Sequence, residues 1–279
     1  MKFVPQSDCP SRDLVLLAPA ISRVPDSFQN VEDNPERHRA LLTEMQMLRG
    51  TIYLQDGAIT PSQLCAKGRH RHPVDEKSWH LLAVNQDGRV CGGARYRETS
   101  NRTVFSQLTI KLSSLARSAV WGKKLRAAVG AELERARKKD VSYVEFGGWA
   151  LAEELRCKTE GLRIALAVYS LAQSLGGCVG ISTATRRHRS SSILRRIGGR
   201  PLEADGVELP PYYDPQYGCE MEILRFDSNL PNPRYSRWID QIRDHLQTVP
   251  VIRSNRVPVR QHRDHSMYSM HDQAASLCF

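Results

Sequence analysis

Apolar residues recur at helical spacing at Leu41, Leu42, Met45 and Leu48, which predicts a helix over Glu36–Leu48 with Arg49 and Tyr53 on the segment that follows. Two apolar runs, Trp79–Val84 and Val90–Tyr96, flank Asn85-Gln86-Asp87-Gly88 and read as a tight hairpin. Gly92-Gly93 in its second strand admits close approach of another backbone or a ligand. Thr103–Thr109 predicts a weaker strand. Leu115, Val120, Leu125, Ala128, Val129 and Leu133 predict a long helix closing on Arg135, Arg137, Lys138 and Lys139, cations that complement a helix C-terminus. Val141–Phe146 is a β-branched, apolar strand interrupted at Gly147-Gly148. A helix over Gly161–Leu175 follows, stopped by Gly176-Gly177. Beyond it come a strand at Cys178–Thr183, a short helix at Ser190–Ile197, a strand at Glu220–Phe226 and an amphipathic helix through Trp238, Ile239, Ile242 and Leu246.

This order gives one α/β domain, a mixed sheet flanked by helices, over residues 31–250. Four prolines (Pro5, Pro10, Pro19, Pro25) and little periodicity mark residues 1–30 as an irregular arm, and residues 251–279 read as a flexible basic tail. No internal repeat is present.

Composition narrows the function classes. No apolar run approaches the roughly 20 residues of a bilayer crossing, and no basic start leads into a long apolar stretch, so the expected location is cytoplasmic. Seven scattered cysteines without a CxxC pair fit reduced thiols. Forty Lys and Arg against thirty Asp and Glu give a formal charge of +10. That surplus favours an anionic partner: nucleic acid, a nucleotide, an acidic carrier protein or, as a peripheral contact, an anionic membrane.

Chemistry concentrates at Val144-Glu145-Phe146-Gly147-Gly148-Trp149, followed by Arg156, Lys158, Thr159, Gly161 and Arg163. A strand broken at two glycines exposes backbone N–H groups that can bind an oxyanion or an acyl amide. A helix start near Thr159 with three cations beside it suits a phosphate. Simple turn chemistry explains the same glycines equally well. Cys65, His70, His72 and His80 lack zinc-ligand spacing and read as a solvated basic loop, so no metal is expected. Cys157 has no neighbouring histidine to activate it. Aromatic residues are sparse and no nucleic-acid-binding signature appears, which leaves a basic nucleic-acid-binding protein as the rival reading.

The layout resembles the GCN5-related N-acyltransferase fold, and within it the acyl-homoserine-lactone (autoinducer) synthases and, more closely, the long-chain N-acyl amino acid synthases. The residues that carry the resemblance are Arg49 and Tyr53, Asp75 five before His80, Arg95 after Gly92-Gly93-Ala94, Glu145 before the strand break, and Tyr212-Tyr213-Asp214-Pro215-Gln216-Tyr217-Gly218-Cys219-Glu220. Gly148 stands where autoinducer synthases carry an arginine, which weighs against S-adenosylmethionine as acceptor. Lys158-Thr-Glu-Gly161-Leu-Arg163 departs from the loop of acetyl-CoA enzymes and favours a donor with one phosphate.

The resemblance implies attack of an amino acid's amine, or that of a related small molecule, on a fatty acyl thioester carried by acyl carrier protein, with no tightly bound cofactor; acyl-CoA is the alternative donor. Glu145 is then the expected general base, or else an ion-pair partner of Arg95 or Arg49. Tyr212 or Tyr213 would protonate the leaving thiolate, or simply pack. Phe146, Gly147, Gly148, Arg156, Lys158, Thr159, Gly161 and Arg163 would hold the acyl-pantetheine arm, and Arg49, Tyr53, Asp75 and Arg95 the acceptor. The cluster Arg186, Arg187, Arg189, Arg195, Arg196 and Arg200 reads as a solvated helix face or as a docking face for the acidic carrier, through Arg186, Arg187, Arg195 and Arg196.

Overall fold

The computed structural model describes residues 13–20, 22–156, 158–187 and 190–254, so Cys157, Arg189, most of the basic tail and the first twelve residues of the arm lie outside the described residues. From Asp13 the chain runs β1 (Asp13–Ala18), β2 (Val31–Asp33), α1 (Pro35–Gln55), β3 (Trp79–Val84), β4 (Val90–Thr99), α2 (Gly122–Lys139), β5 (Ser142–Leu151), α3 (Glu160–Ser174), β6 (Cys178–Thr185) and α4 (Ser190–Arg196). Four short strands follow, β7 (Arg200–Pro201), β8 (Glu203–Ala204), β9 (Val207–Glu208) and β10 (Tyr212–Asp214), and then β11 (Cys219–Asp227), α5 (Ser236–Leu246) and β12 (Val251–Arg253).

The main sheet has the order β10-β11-β6-β5-β4-β3-β1-β12-β2, with β7 also on β11. The parallel pairs are β5–β6, β1–β12 and β12–β2. The chain is an α/β fold with a mixed sheet covered by helices on both faces. On one face α1 packs Leu41, Met45 and Ile52 over Val15, Leu17, Leu82 and Ala150, and α2 packs Leu125, Val129 and Leu133 over Tyr143, Val179 and Ile181. On the other, α3 covers Leu81, Tyr96 and Val144 with Ile164, Ala167 and Leu171, and α5 presses Ile239 against Ala165 and Leu166. Burying a leucine of this kind stabilises by roughly 1.5–3 kcal/mol.

Four expectations change. The arm and the tail are not outside the domain: β1 pairs with β3 and β12, and β12 with β1 and β2. β1 is buried on both faces from Leu14 to Ala18, so its sequence shows no alternation for a periodicity reading to catch. Arg49 and Tyr53 do not follow the first helix but belong to it; α1 is capped by the Asn34 side chain, which accepts the Arg37 N–H at 3.0 Å, and it continues to Gln55. Thr103–Thr109 forms no strand; it passes into 3₁₀ turns at Phe105–Gln107 and Thr109–Leu112, because the N–H groups of Thr109 and Ile110 bind the Glu145 carboxylate instead of a ladder partner. β5 does not end at Gly147-Gly148, since β4 keeps pairing with it out to Leu151.

Candidate functional site

The ladder between β5 and β6 stops half-way along both strands. It runs from Ser142↔Cys178 to Phe146↔Ser182, yet β5 continues to Leu151 and β6 to Thr185. The cause is local. Gly148 adopts φ +64°, and the β4–β5 register shifts between Gly93 and Arg95, so β5 bends away with β4 and leaves β6 with β11. A Cβ at Gly148 would stand 3.0 Å from Arg49 Nη1 and 3.2 Å from Arg95 Cβ, so both the backbone angle and the space demand glycine. Into the gap opens a cavity of about 960 Å³. Gly147, Gly148 and Trp149 wall it on one side and Ser182, Thr183 and Thr185 on the other. A mainly apolar reach extends past Ala165, Val168, Ile193 and Phe226.

At the β4 side of the slot lies a buried ionic cluster. Asp75 accepts from Arg49 Nη2 at 2.6 Å, Arg49 Nη1 at 3.2 Å, Arg95 Nη1 at 3.1 Å, Gln46 Nε2 at 3.0 Å and the His72 N–H at 3.0 Å. Burial alone would raise the Asp75 carboxyl, but the charge and hydrogen bonds of Arg49, with Arg95 beside it, hold it well below the usual carboxylate range. Two guanidiniums against one carboxylate leave the cluster with one uncompensated positive charge. Arg49 is 1 % exposed and spends Nη2 also on the His70 carbonyl, so it is a packing and charge-setting residue rather than an open ligand. Arg95 differs: it lines the cavity, only Nη1 bonds Asp75, and a Cβ at Gly147 would be 3.5 Å from its Nη2.

Three histidines surround this cluster. Burial is the main cause that pushes His70, His72 and His80 each down to about 4, with Arg49 or Arg95 adding to it. Neutral His80 donates from Nε2 to the Asp75 carbonyl at 2.8 Å. An unfolded chain would take up these protons near 6.5, so between pH 6.5 and 4 the unfolded state binds more protons than the folded one. Stability is therefore full above about 6.5 and falls as pH drops toward 4. The melting temperature is expected to decline steadily from pH 7 to pH 5, and a flat profile over that interval contradicts the assignment.

Glu145 is not placed as a free base. Its Oε2 accepts from Arg97 Nη1 at 2.6 Å and the Thr109 N–H at 2.9 Å, and its Oε1 from Thr109 Oγ1 at 2.7 Å and the Ile110 N–H at 3.0 Å. A carboxylate offers about four acceptor positions, and all are taken. Its ion-pair partner is Arg97, directly opposite on β4, and neither Arg95, which lies opposite Gly147, nor Arg49.

The remaining predicted residues divide. Phe146, Gly147, Gly148, Arg156, Lys158, Gly161, Tyr53, Tyr212, Arg187 and Arg196 all line the cavity. Tyr213 does not; strand alternation on β10 turns it outward, 62 % exposed, while Tyr212 faces in. Arg156 is held by Asp56 at 2.8 and 3.0 Å. Arg163 lies off the cavity wall, bound to Glu160 at 2.9 Å, and Thr159 caps α3 without a side-chain hydrogen bond. The arginine cluster is largely spent: Arg186 on Glu220 at 3.1 Å, Arg187 on the carbonyls of Asp56 and Gly218, Arg195 on Glu222.

Sequence reasoning missed Arg97, Ser182 and Thr183; it read His72 as part of a solvated loop and named Tyr217 only within the run that carries the resemblance, whereas both line the cavity. Tyr217 lies 6.4 Å from Tyr53 ring to ring, in the cavity. Burial raises both phenols, Tyr53 to about 12, and raises Tyr212 as well. Arg97 was legible: the residue opposite a strand carboxylate shares its face. The Trp149 indole N–H is buried with no partner among the described residues, an orphan donor on the cavity wall.

No protein-family model matches the chain, and no curated protein matches it. Solved structures do match in fold. A CoA-dependent acyl-homoserine lactone synthase, BjaI, with SAM and isopentyl-CoA, aligns at a TM-score of 0.54 and 13 % identity over 88 % of this chain and 95 % of that one. The same enzyme with MTA gives the same values. FeeM, an N-acyl amino acid synthase from uncultured soil microbes, aligns at a TM-score of 0.46 and 12 % identity over 78 % and 93 %. The fold is thus that of the GCN5-related acyltransferases, as the sequence resemblance implies.

Proposed function

We propose that this protein is an N-acyltransferase that moves an acyl group from a phosphopantetheine thioester to the amine of a carboxylate-bearing small molecule such as an amino acid. The observation that carries the reading is the slot beyond Phe146 and Ser182 with a cavity leading to the positive Arg49–Asp75–Arg95 cluster. A pantetheine arm is thin, amide-bearing and extended, and it fits a gap whose β5 edge has lost its ladder partner. The acyl chain suits the apolar reach under α3 and α4. Arg95 Nη2 can take the acceptor's carboxylate.

The chemistry follows from charge. The attacking amine must be neutral, and an amine seated beside uncompensated guanidinium charge loses its proton to water more readily. It attacks the thioester carbon, the carbonyl oxygen becomes an oxyanion met by backbone N–H groups of the slot, and collapse expels the thiolate while the amide forms. The surplus proton of the new C–N bond goes to the departing sulfur. A tyrosine raised above its ordinary range is a poorer acid than a thiol of about 8.5; Tyr212 and Tyr217 therefore stabilise the thiolate by donating a hydrogen bond rather than by giving up the proton. Glu145 acts as a positioning residue that ties Thr109, Ile110 and Arg97 to β5.

Acyl carrier protein is the preferred donor in this reading. Arg156 is occupied by Asp56 and Arg163 by Glu160, which leaves Lys158 and Arg196 at the cavity to meet a single phosphate. Incubating the protein with a series of fatty acyl groups on carrier protein or on CoA, plus mixed amino acids, is expected to yield N-acyl amino acids by mass spectrometry, faster from the carrier; CoA turnover alone reverses the donor choice, and no product from either donor refutes the activity. Arg95→Gln is expected to raise the acceptor KM at least tenfold and to shift the rate profile toward higher pH, as one buried charge pair and one cation are lost. An unchanged KM removes Arg95 from acceptor binding.

A further inference from the structure

The two longest stretches of the chain without an acidic residue are 99–131 and 161–202. They differ in what their cations do. In the second, Arg163, Arg186 and Arg195 are neutralised by Glu160, Glu220 and Glu222. In the first, Arg102, Lys111, Arg117, Lys123, Lys124 and Arg126 are all exposed, and none forms an ion pair among the described residues. Lys123 and Lys124 even stand in the first turn of α2, where the helix dipole disfavours cations and where no acid offsets them.

The same stretch carries three protruding aliphatic side chains, Val104 at 48 %, Leu112 at 61 % and Val120 at 68 % exposure, while 161–202 carries no large hydrophobic residue so exposed. The pieces belong to one region. The Arg126 guanidinium covers the Phe105 ring at 4.6 Å and Lys124 covers Trp121 at 4.7 Å. Ser114 Oγ donates to the Tyr213 carbonyl at 2.7 Å, which ties β10, with its outward-facing Tyr213, to the segment that follows Leu112. Leu112 also sits on the cavity wall, so an opening of the cavity lies within this surface.

We propose that the 3₁₀ turns after β4, the start of α2 and Tyr213 form a docking surface for an anionic lipid bilayer. Unpaired lysines and arginines meet lipid phosphates, their stems and the aliphatic and aromatic side chains enter the headgroup boundary, and the two terms act together. Nucleic acid or an acidic protein face would use the cations but leave the three protruding aliphatic side chains without apolar cover. The surface proposal does not depend on the acyltransfer reading. If that reading also holds, an amphiphilic product leaves the cavity at the membrane.

The test is vesicle flotation of the full-length protein with phosphatidylcholine vesicles with and without phosphatidylglycerol, at low and high salt. Binding to the anionic vesicles only, weakened by salt, is expected. Lys123→Glu with Lys124→Glu, and separately Leu112→Asp with Val120→Asp, should each lower partitioning roughly tenfold or more. Arg234→Glu with Arg237→Glu changes net charge equally, and Leu230→Asp removes an equally exposed leucine elsewhere; both should bind as the parent does. Unaltered melting temperatures establish that the variants fold. Equal binding to neutral vesicles, equal loss in the control variants, no binding, or retention by duplex DNA or acyl carrier protein in place of vesicles overturns the proposal.

Discussion

Asp75→Asn is expected to destabilise the protein by about 3–5 kcal/mol, the usual cost of breaking a buried ion pair by removing one partner. For a chain of this size that corresponds to a melting temperature lower by roughly 10 °C. The carboxylate is the only negative charge facing Arg49 and Arg95 in the cluster, and it is also the acceptor for Gln46 and the His72 N–H. An asparagine keeps the shape but replaces one charged acceptor by a donor, which then faces guanidinium N–H groups. Two buried cations are left repelling each other, and α1, β4 and the loop carrying His70 and His72 lose their common tie. Combining Asp75→Asn with Arg49→Met should recover part of the loss, because the remaining charge, Arg95, reaches the cavity and water. A loss below about 1 kcal/mol in the single variant would mean that the cluster does not hold these elements together.

Much of this arrangement could be read from the sequence, and the failures have physical causes. Long amphipathic segments were legible: α3 and its stop at Gly176-Gly177, with φ of +99° and +90°, and the hairpin at Asp87-Gly88. The two glycines after Phe146 marked the place of the gap, although simple turn chemistry accounted for them equally well until the β5–β6 ladder was seen to end at Phe146 and Ser182. β1 and β12 were not legible, since a strand buried on both faces carries no alternation and three residues carry no period. The partners of Glu145 were not legible for a different reason: an ion pair was one of its two expected roles, but with Arg95 or Arg49 in place of Arg97. Its neighbours Thr109 and Ile110 lie in a 3₁₀ turn 36 and 35 residues earlier, and only tertiary structure shows that their N–H groups are spent on it. The basic cluster at 186–196 looked available because its acids, Glu220 and Glu222, sit on β11, which pairs with β6. Charge along the chain cannot reveal a partner across a sheet.

Gly147→Val is expected to lower kcat/KM for acyl transfer by about 10²-fold or more while the melting temperature stays near that of the parent. The two glycines of the slot are not equivalent. Gly148 has φ +64° and no room, so Gly148→Ala should cost roughly 1–3 kcal/mol of stability through strain and contact with Arg49. Gly147 has no positive φ, and a Cβ there makes only ordinary contact, 3.5 Å from Arg95 Nη2. A β-branched residue suits an extended backbone, so the strand tolerates valine. The slot does not: two methyl groups enter the space between β5 and the Arg95 nitrogen, which in the proposed reaction the acceptor's carboxylate and the thioester carbonyl share. Displacing reacting atoms by an ångström suffices for a hundredfold loss. Activity and stability thus separate at neighbouring positions, Gly147 affecting turnover and Gly148 folding. Full activity in a folded Gly147→Val protein would show that the reacting groups meet elsewhere.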